Sequence, residues 1–346
     1  MLLRKYFSIV SIFVIVPLTF LCDGLKQRSA IKNFLRRGNH SDNWAVLVAM
    51  MPNTDKYDNE AAALSVYYML KKLGLPDSNI ILMLRGSFAC RPNNPYQARV
   101  ISYISDYVDV YSDVEVDYRG EEVTVANLIR VLTNSHPPGT PRSKRMLSNS
   151  KSNVLVYLSG ELFLFRPFGI ITVLRVRVGH GSKGGSMTMG EMENLRTRHL
   201  GAVIRTMRAQ TRFNELLVIP SACYAANMCR GLTVQNVLCI SSSNETETSH
   251  SDGSKYHREL LRSVTGQFEL HLTQFLDIVY KRSNETFSLQ DFIFTAPKQL
   301  LQGQVSVRKN FYPKPLKNVP ATDFFAMKRR IQFLQTIKIP DEEFDD

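Results

Sequence analysis

Two residues in this chain are placed to do covalent chemistry. Cys223 follows Glu215-Leu216-Leu217-Val218-Ile219-Pro220, a short apolar run that reads as a buried strand. A thiol at the end of a strand is a candidate nucleophile, because a neighbouring base can hold it as the reactive thiolate. His180 lies upstream, in Gly179-His180-Gly181-Ser182-Lys183-Gly184-Gly185. A histidine between glycines is badly suited to filling a core, and its small neighbours let the backbone approach a substrate closely. The pair reads as a thiol–imidazole dyad, with His180 as general base and the amides of Gly181 and Cys223 as donors to an oxyanion. A lone cysteine is more often a buried structural residue, so the reading rests on the pair.

Such a dyad needs rigid elements behind it. Asn43–Met50, Ile80–Leu84, Val154–Leu158, Glu215–Pro220 and Val237–Ile240 are short apolar runs that read as buried strands. Asn59–Leu73, Val123–Leu132, Met192–Ala209 and Leu260–Val279 read as helices, the first closed by Gly74. Residues 86–97 and the stretch from Pro137 onward read as loops. Alternation of this kind predicts a single α/β domain over 43–325, a mostly parallel sheet with helices on both faces. Active sites of such sheets lie at the carboxyl ends of the strands, which selects the residues immediately after Leu158 and Ile219.

The chain has 346 residues, 44% of them hydrophobic, enough for a sizeable core. Arg4 and Lys5 precede an apolar run from Phe7 to Leu21, with Cys22 and Gly24 behind it. That layout predicts a signal peptide over 1–24, and the run is short against the about 20 residues a membrane span needs. Residues 25–42 read as a basic linker and 326–346 as a charged tail without a membrane helix. The net charge is +12. Behind a signal peptide, that charge points to an anionic membrane or an acidic partner rather than to nucleic acid. Removing Cys22 with the leader leaves Cys90, Cys223, Cys229 and Cys239, too few for a disulfide-built scaffold. Sequons at Asn39, Asn244 and Asn284 fit glycosylation in the same compartment.

Longer segments carry a resemblance. They include NWAVLVA (43–49), LSVYYMLKKLGLPDSNIILML (64–84), ACRPNNP (89–95), DVEVDYRGEEVTVANLIRVLT (113–133), PPGTPRSKRMLS (137–148), HGSKGG (180–185), RFNELLVIPSAC (212–223) and NVPATDFF (318–325). In these the chain resembles the legumain-like C13 cysteine peptidases of caspase fold, and among them the catalytic subunits of GPI transamidase. The resemblance implies residence in the lumen of the endoplasmic reticulum, membrane-associated through partner subunits. It also implies a substrate proprotein with a C-terminal GPI signal, and a GPI glycolipid as acceptor. Catalysis would need no cofactor. A structural Ca²⁺ would sit at Asp77, Glu115, Asp117 and the Ile80 carbonyl. Cys90 would bridge to a partner subunit, and Ser242 and Ser243 would help wall the pocket for a small ω residue.

The chain also departs from that pattern. Where the family runs from strand directly into its His-Gly turn, Glu161–Gly179 intervenes here. The segment reads as a retained intron or gene-model error, or else as an inserted hairpin that would detach His180 from its strand. Ser221-Ala222 stands where the family has Asp-Thr, so a pocket carboxylate is lost. Lys56 stands where the family has the Asn that orients its imidazole, and Asp58-Asn59 replaces an Arg-His pair. Two alternatives stay beside the transamidase reading: an inactive scaffold subunit of the same complex, and a legumain-like asparaginyl endopeptidase.

Overall fold

The computed structural model describes residues 40–51, 57–160, 185–189, 193–249, 251–296 and 305–327. The expected signal peptide, most of the linker, the 161–179 segment, the end of the tail, Asn39, Lys56, His180 and Gly181 lie outside these residues.

Strand β1 (Asp42–Ala49) is followed by helix α1 (Tyr57–Lys72) and strand β2 (Ile80–Leu84). A small hairpin, β3 (Ile101–Tyr103) and β4 (Tyr107–Asp109), precedes β5 (Tyr118–Arg119), α2 (Val125–Thr133) and β6 (Ser152–Ser159). A second hairpin, β7 (Ser186–Met189) and β8 (Glu193–Arg196), leads into α3 (Thr197–Ala209), β9 (Glu215–Ser221) and β10 (Val237–Ser241). A third, β11 (Tyr256–His257) and β12 (Arg262–Ser263), comes before α4 (Gln267–Lys281), α5 (Leu289–Phe294), β13 (Ser306–Arg308) and α6 (Thr322–Phe325).

One seven-stranded sheet runs β13-β10-β9-β6-β1-β2-β5. All its pairings are parallel except the antiparallel edge formed by β13 on β10. The strands are apolar because both faces are covered. Ala45, Leu47 and Ala49 face the core shared with α1, α4 and α5, and Trp44, Val46 and Val48 face the one shared with α2 and α3. The expected fold class is therefore the one observed.

Local chemistry sets the helix ends. Asp58 and Glu60 lie in the first turn of α1 and Lys71 and Lys72 in its last, each sign complementing the helix dipole. Thr124 caps α2, its hydroxyl accepting from the Asn127 amide, and Asn134 ends it in the left-handed region at φ 52°. Two expected helices start late. Residues 193–196 pair as a strand with 186–189, burying Met187, Met189 and Leu195, so α3 begins at Thr197. Residues 260–266 are loop and the short strand β12, and α4 begins after Gly266, whose extended backbone caps it.

The end of the described domain is tied to the start of the sheet. The Asn43 side chain donates to the carbonyls of Thr322 and Ala326, and that of Asn153 to the carbonyl of Asp323. Among the described residues, no helix is long and apolar enough to cross a membrane.

Candidate active site

The carboxyl ends of β6 and β9 lie side by side. Ser159 is in register with Ser221, and the Gly160 amide donates to the Ser221 carbonyl at 3.1 Å. Beyond Ser221 the chain turns sharply through Ala222 and Cys223. Tyr224 takes a left-handed φ of 55°, and a 3₁₀ turn follows over Ala225–Gly231. A turn so tight leaves backbone groups that no ladder can satisfy. Ser242 and Ser243, just past β10, satisfy them. The Ser242 hydroxyl accepts from the Ala222 amide (3.1 Å), and the Ser243 hydroxyl accepts from the Ala225 amide (2.9 Å). Both hydroxyls donate back to the Ala222 carbonyl. These serines are buried behind the nucleophile turn as its braces, and the serines that line the adjoining cavity are Ser221, Ser249 and Ser251. A Cys229–Cys239 disulfide ties the 3₁₀ turn to β10. Sequence reading expected only a catalytic thiol and a bridge to a partner. The pairing escapes it because Cys229 lies in a turn that only the folded chain brings to the strand.

Cys223 is half-buried and remains a thiol, its Sγ 3.8 Å from the Ser249 carbonyl oxygen. It opens on a small cavity of about 30 Å³. Asp58 and Asn59 from the start of α1 form one wall, and Gly160, Ser221 and Glu269 form another part of the lining. Glu269 is buried in the first turn of α4. Tyr157 donates to its Oε1 at 3.0 Å, and the Ser221 hydroxyl donates to the same oxygen. Burial raises the pKa of this carboxyl, against the opposing pull of those hydrogen bonds, and Asp58 adds to the rise. Across the cavity, the Asp58 carboxylate accepts from Ser251. Asn59 Oδ1 lies 3.4 Å from the Ser159 hydroxyl, and its buried Nδ2 has no partner among the described residues. Glu269 was invisible to sequence reading, because an acidic residue at a helix start looks like ordinary dipole compensation.

His180, Gly181 and Lys56 lie outside the described residues, but the flanks of residues 161–184 do not. The chain leaves at Gly160, on the cavity wall. It returns at Gly185, where φ is +66° and a Cβ would stand 2.6 Å from the Asn227 carbonyl oxygen of the nucleophile's own turn. Both ends of the His180 segment therefore sit against the structure around Cys223.

The other expected sites are separate from this cleft. Asp117 accepts from the Leu82 amide at 2.9 Å, and its pKa is pushed up to about 6. Burial is the main cause, and the nearby carboxylates of Glu115 and Asp77 add to it. Asp77 spends its oxygens on Tyr67 and Lys71. Among the described residues, no three acidic, His or Cys side chains stand assembled as a metal cage. Cys90 is exposed at the end of a 3₁₀ turn, Phe88–Cys90. Glu60, with a pKa raised by burial to about 7, accepts from the Phe88 amide at 3.0 Å. The Asn94 side chain holds the carbonyls of Phe88, Tyr96 and Arg99, so the loop that presents Cys90 is pinned. Asn284 is exposed in the connection after α4, and Asn244 is half-buried with its side-chain oxygen accepting from Thr246.

The profile of the Peptidase C13 family matches residues 43–161 and 176–284. The break between them falls inside the 161–179 segment that sequence reading marks as foreign. The chain is 35% identical over 312 residues to the GPI-anchor transamidase of Homo sapiens, covering 89% of this chain and 72% of that protein. It is 34% identical over 304 residues to the GPI-anchor transamidase of Mus musculus, covering 87% and 70%. Caspase-1 from Spodoptera frugiperda is a structural neighbour at 10% identity and TM-score 0.41, over 81% of this chain and 91% of that one. With the family profile spanning both halves of the sheet and Cys223 at its carboxyl edge, this chain belongs to the Peptidase C13 family of cysteine peptidases.

Proposed function

We propose that this chain is the catalytic subunit of a GPI transamidase in the lumen of the endoplasmic reticulum. The observation that carries the reading is the placement of Cys223 on a braced turn at the carboxyl edge of β9, open to a cavity, in a chain whose relatives bear that name. His180 takes the thiol proton, and the Cys223 sulfur attacks the carbonyl of the ω residue. The amides of Gly181 and Cys223 receive the oxyanion. Those of Ala222, Tyr224 and Ala225 are already spent on Ser242, the Glu247 carbonyl and Ser243. The C–N bond to the C-terminal tail breaks, the departing amine takes the proton from His180, and a thioester remains. The amine of a GPI phosphoethanolamine then attacks the thioester and gives its proton to His180. The C–S bond breaks, and the sulfur leaves as the thiolate. Cys90 on its pinned, exposed loop is suited to a disulfide with another subunit of the complex, through which the chain associates with the membrane.

Transfer and hydrolysis are separated by their products. Microsomes making a GPI-signal reporter, supplied with hydrazine in place of GPI, are expected to release the reporter hydrazide, and Cys223→Ala microsomes none. Release of the free acid alone would instead identify an endopeptidase.

The donors at Asp77, Ile80, Glu115 and Asp117 are all oxygen, which suits Ca²⁺ in a structural role. The electrostatic push of Glu115 and Asp77 on the Asp117 carboxyl supports it. Saturating Ca²⁺ is expected to raise the Tm of the purified complex by an amount corresponding to about 2–3 kcal/mol at a hundredfold excess over Kd. Mg²⁺ should not match it, and Asp117→Asn should remove it. A Tm indifferent to Ca²⁺ would discard the site.

A further inference from the structure

We propose that the amino-terminal edge of the sheet, opposite Cys223, carries a binding site for a phosphate group, free or on a lipid headgroup, formed by Arg130, His136, Arg145 and Arg212. The inference goes beyond the transamidase reading and does not depend on it.

Three segments are tied together there. Helix α2 brings Arg130 in its last turn and His136 just beyond its end. Arg145 donates from Nε to the side-chain oxygen of Asn134, the residue that ends α2, at 3.4 Å. Arg212, between α3 and β9, donates from Nη2 to the carbonyl of Met146, the neighbour of Arg145 along the chain. No carboxylate comes with these basic groups: among the described residues, none of the three guanidinium groups has an ion pair. Lys144 is the contrast, since it pairs with Glu122 at 2.5 Å. Burial, and then the charges of Arg145, Arg130 and Arg212, hold the His136 imidazole below its usual pKa. Burial and the charge of Arg145 act on Arg212 in the same direction. Positive groups that oppose one another's charge in a half-buried place are short of an anion. Nε of Arg212 and Nε2 of His136 are buried with no partner among the described residues. Compensation of helix ends does not account for the cluster. The carbonyls of Arg130 and Val131 in the last turn of α2 are taken by the amides of Ser135 and Asn134, and His136 and Arg145 lie outside the α-helices. A planar guanidinium offers paired donors that match two oxygens of a phosphate, and several converging on one place favour that ligand over a single-point anion. A bound phosphate would also draw a proton onto His136, turning the imidazole into a further donor. Arg212 lies just before the start of β9, and Cys223 just past its end. The strand's length puts the two about 20 Å apart, so a ligand here leaves the cleft free.

The test uses the full chain, purified from microsomes with its bound subunits in phosphate-free buffer, and reads modification of individual arginines by phenylglyoxal through peptide mass spectrometry. Inorganic phosphate is expected to protect Arg130, Arg145 and Arg212, and to leave the exposed Arg142 and Arg258 reacting as before. Arg145→Gln should raise the phosphate concentration that half-protects Arg130 and Arg212 by about tenfold, the loss of one charged donor. If that variant fails to accumulate, Arg130→Gln, on the exposed side of α2, carries the same measurement at Arg145 and Arg212. Nanodiscs separate the two sources of the ligand. Protection in phosphatidylcholine with added phosphatidylinositol, and none in phosphatidylcholine alone, assigns the site to a lipid headgroup. Protection by inorganic phosphate alone, unmoved by phosphatidylinositol, assigns it to the free ion. Absence of protection by either overturns the proposal. So does half-protection at an unchanged concentration in the variant. Failure of phenylglyoxal to modify any of the three arginines also overturns it, because a place closed to so small a reagent has no room for a phosphate ester.

Discussion

Cys223→Ala is expected to abolish GPI attachment in cells that depend on this subunit, as read by surface display of a GPI-anchored reporter. The loss should be on the order of a thousandfold or more, since removing a covalent nucleophile leaves only the binding contributions. The effect is separable from misfolding. The turn is held by Ser242, Ser243 and the Cys229–Cys239 bond, none of which involves the Cys223 side chain. The thiol's contact with the Ser249 carbonyl is long, at 3.8 Å. The alanine variant should therefore accumulate and assemble normally while the reporter keeps its uncleaved tail. His180→Ala should match it in effect. If His180→Ala leaves attachment intact, another base serves the thiol and the dyad is wrong.

Gly201→Ala is the second change with a large expected effect, and its sign is diagnostic. In an ordinary helix interior, alanine in place of glycine stabilises by about 1 kcal/mol. Gly201 lies on the face of α3 that meets the turn following Cys223. A Cβ there would overlap the Gly231 carbonyl oxygen and stand 3.1 Å from its carbon. The contact is reciprocal, since a Cβ on Gly231 would stand 2.5 Å from the Thr197 carbonyl oxygen. Thr197 also bonds the turn directly, its hydroxyl donating to the Met228 carbonyl and accepting from the Gly231 amide. Both partners at the close approach are backbone and cannot swing aside, so the overlap should outweigh the propensity gain. The expected result is a net loss of about 1–2 kcal/mol and a Tm lower by a few degrees. Gly253→Ala, where nothing lies within 4 Å, should be close to neutral. A stabilised Gly201→Ala protein would show that α3 and the turn are not in backbone contact.

The fold was legible because its main signals are local. The runs at 43–50, 80–84, 154–158, 215–220 and 237–240 are apolar apart from Asn43 and Glu215 at their starts, and each supplies a strand of the sheet. What escaped were elements whose reason is tertiary. The edge strand β13 spans only three residues and pairs antiparallel with β10, and nothing in Ser306-Val307-Arg308 announces that partner. The segment 193–196 reads as the start of a helix until Met187, Met189 and Leu195 are seen burying one another's flank. The same division holds at the site. Cys223 could be found because it ends a strand. Glu269, Asn59 and the bracing role of Ser242 and Ser243 could not, because they come from helix starts and a neighbouring strand that meet the thiol only in three dimensions.

The Cys229–Cys239 bond has a consequence for how the protein is made. An oxidising compartment has to join these two thiols while leaving Cys223, one short turn away, reduced for catalysis. Cys229 and Cys223 lie closer along the chain than Cys229 and Cys239 do, so the nearest partner in the nascent polypeptide is the wrong one. The correct pair forms only where β10 has docked beside β9 and carried Cys239 to the turn. Biogenesis therefore places a checkpoint on this subunit: a molecule oxidised before its sheet is assembled buries its own reactive group in a crosslink, and depends on disulfide exchange to recover it.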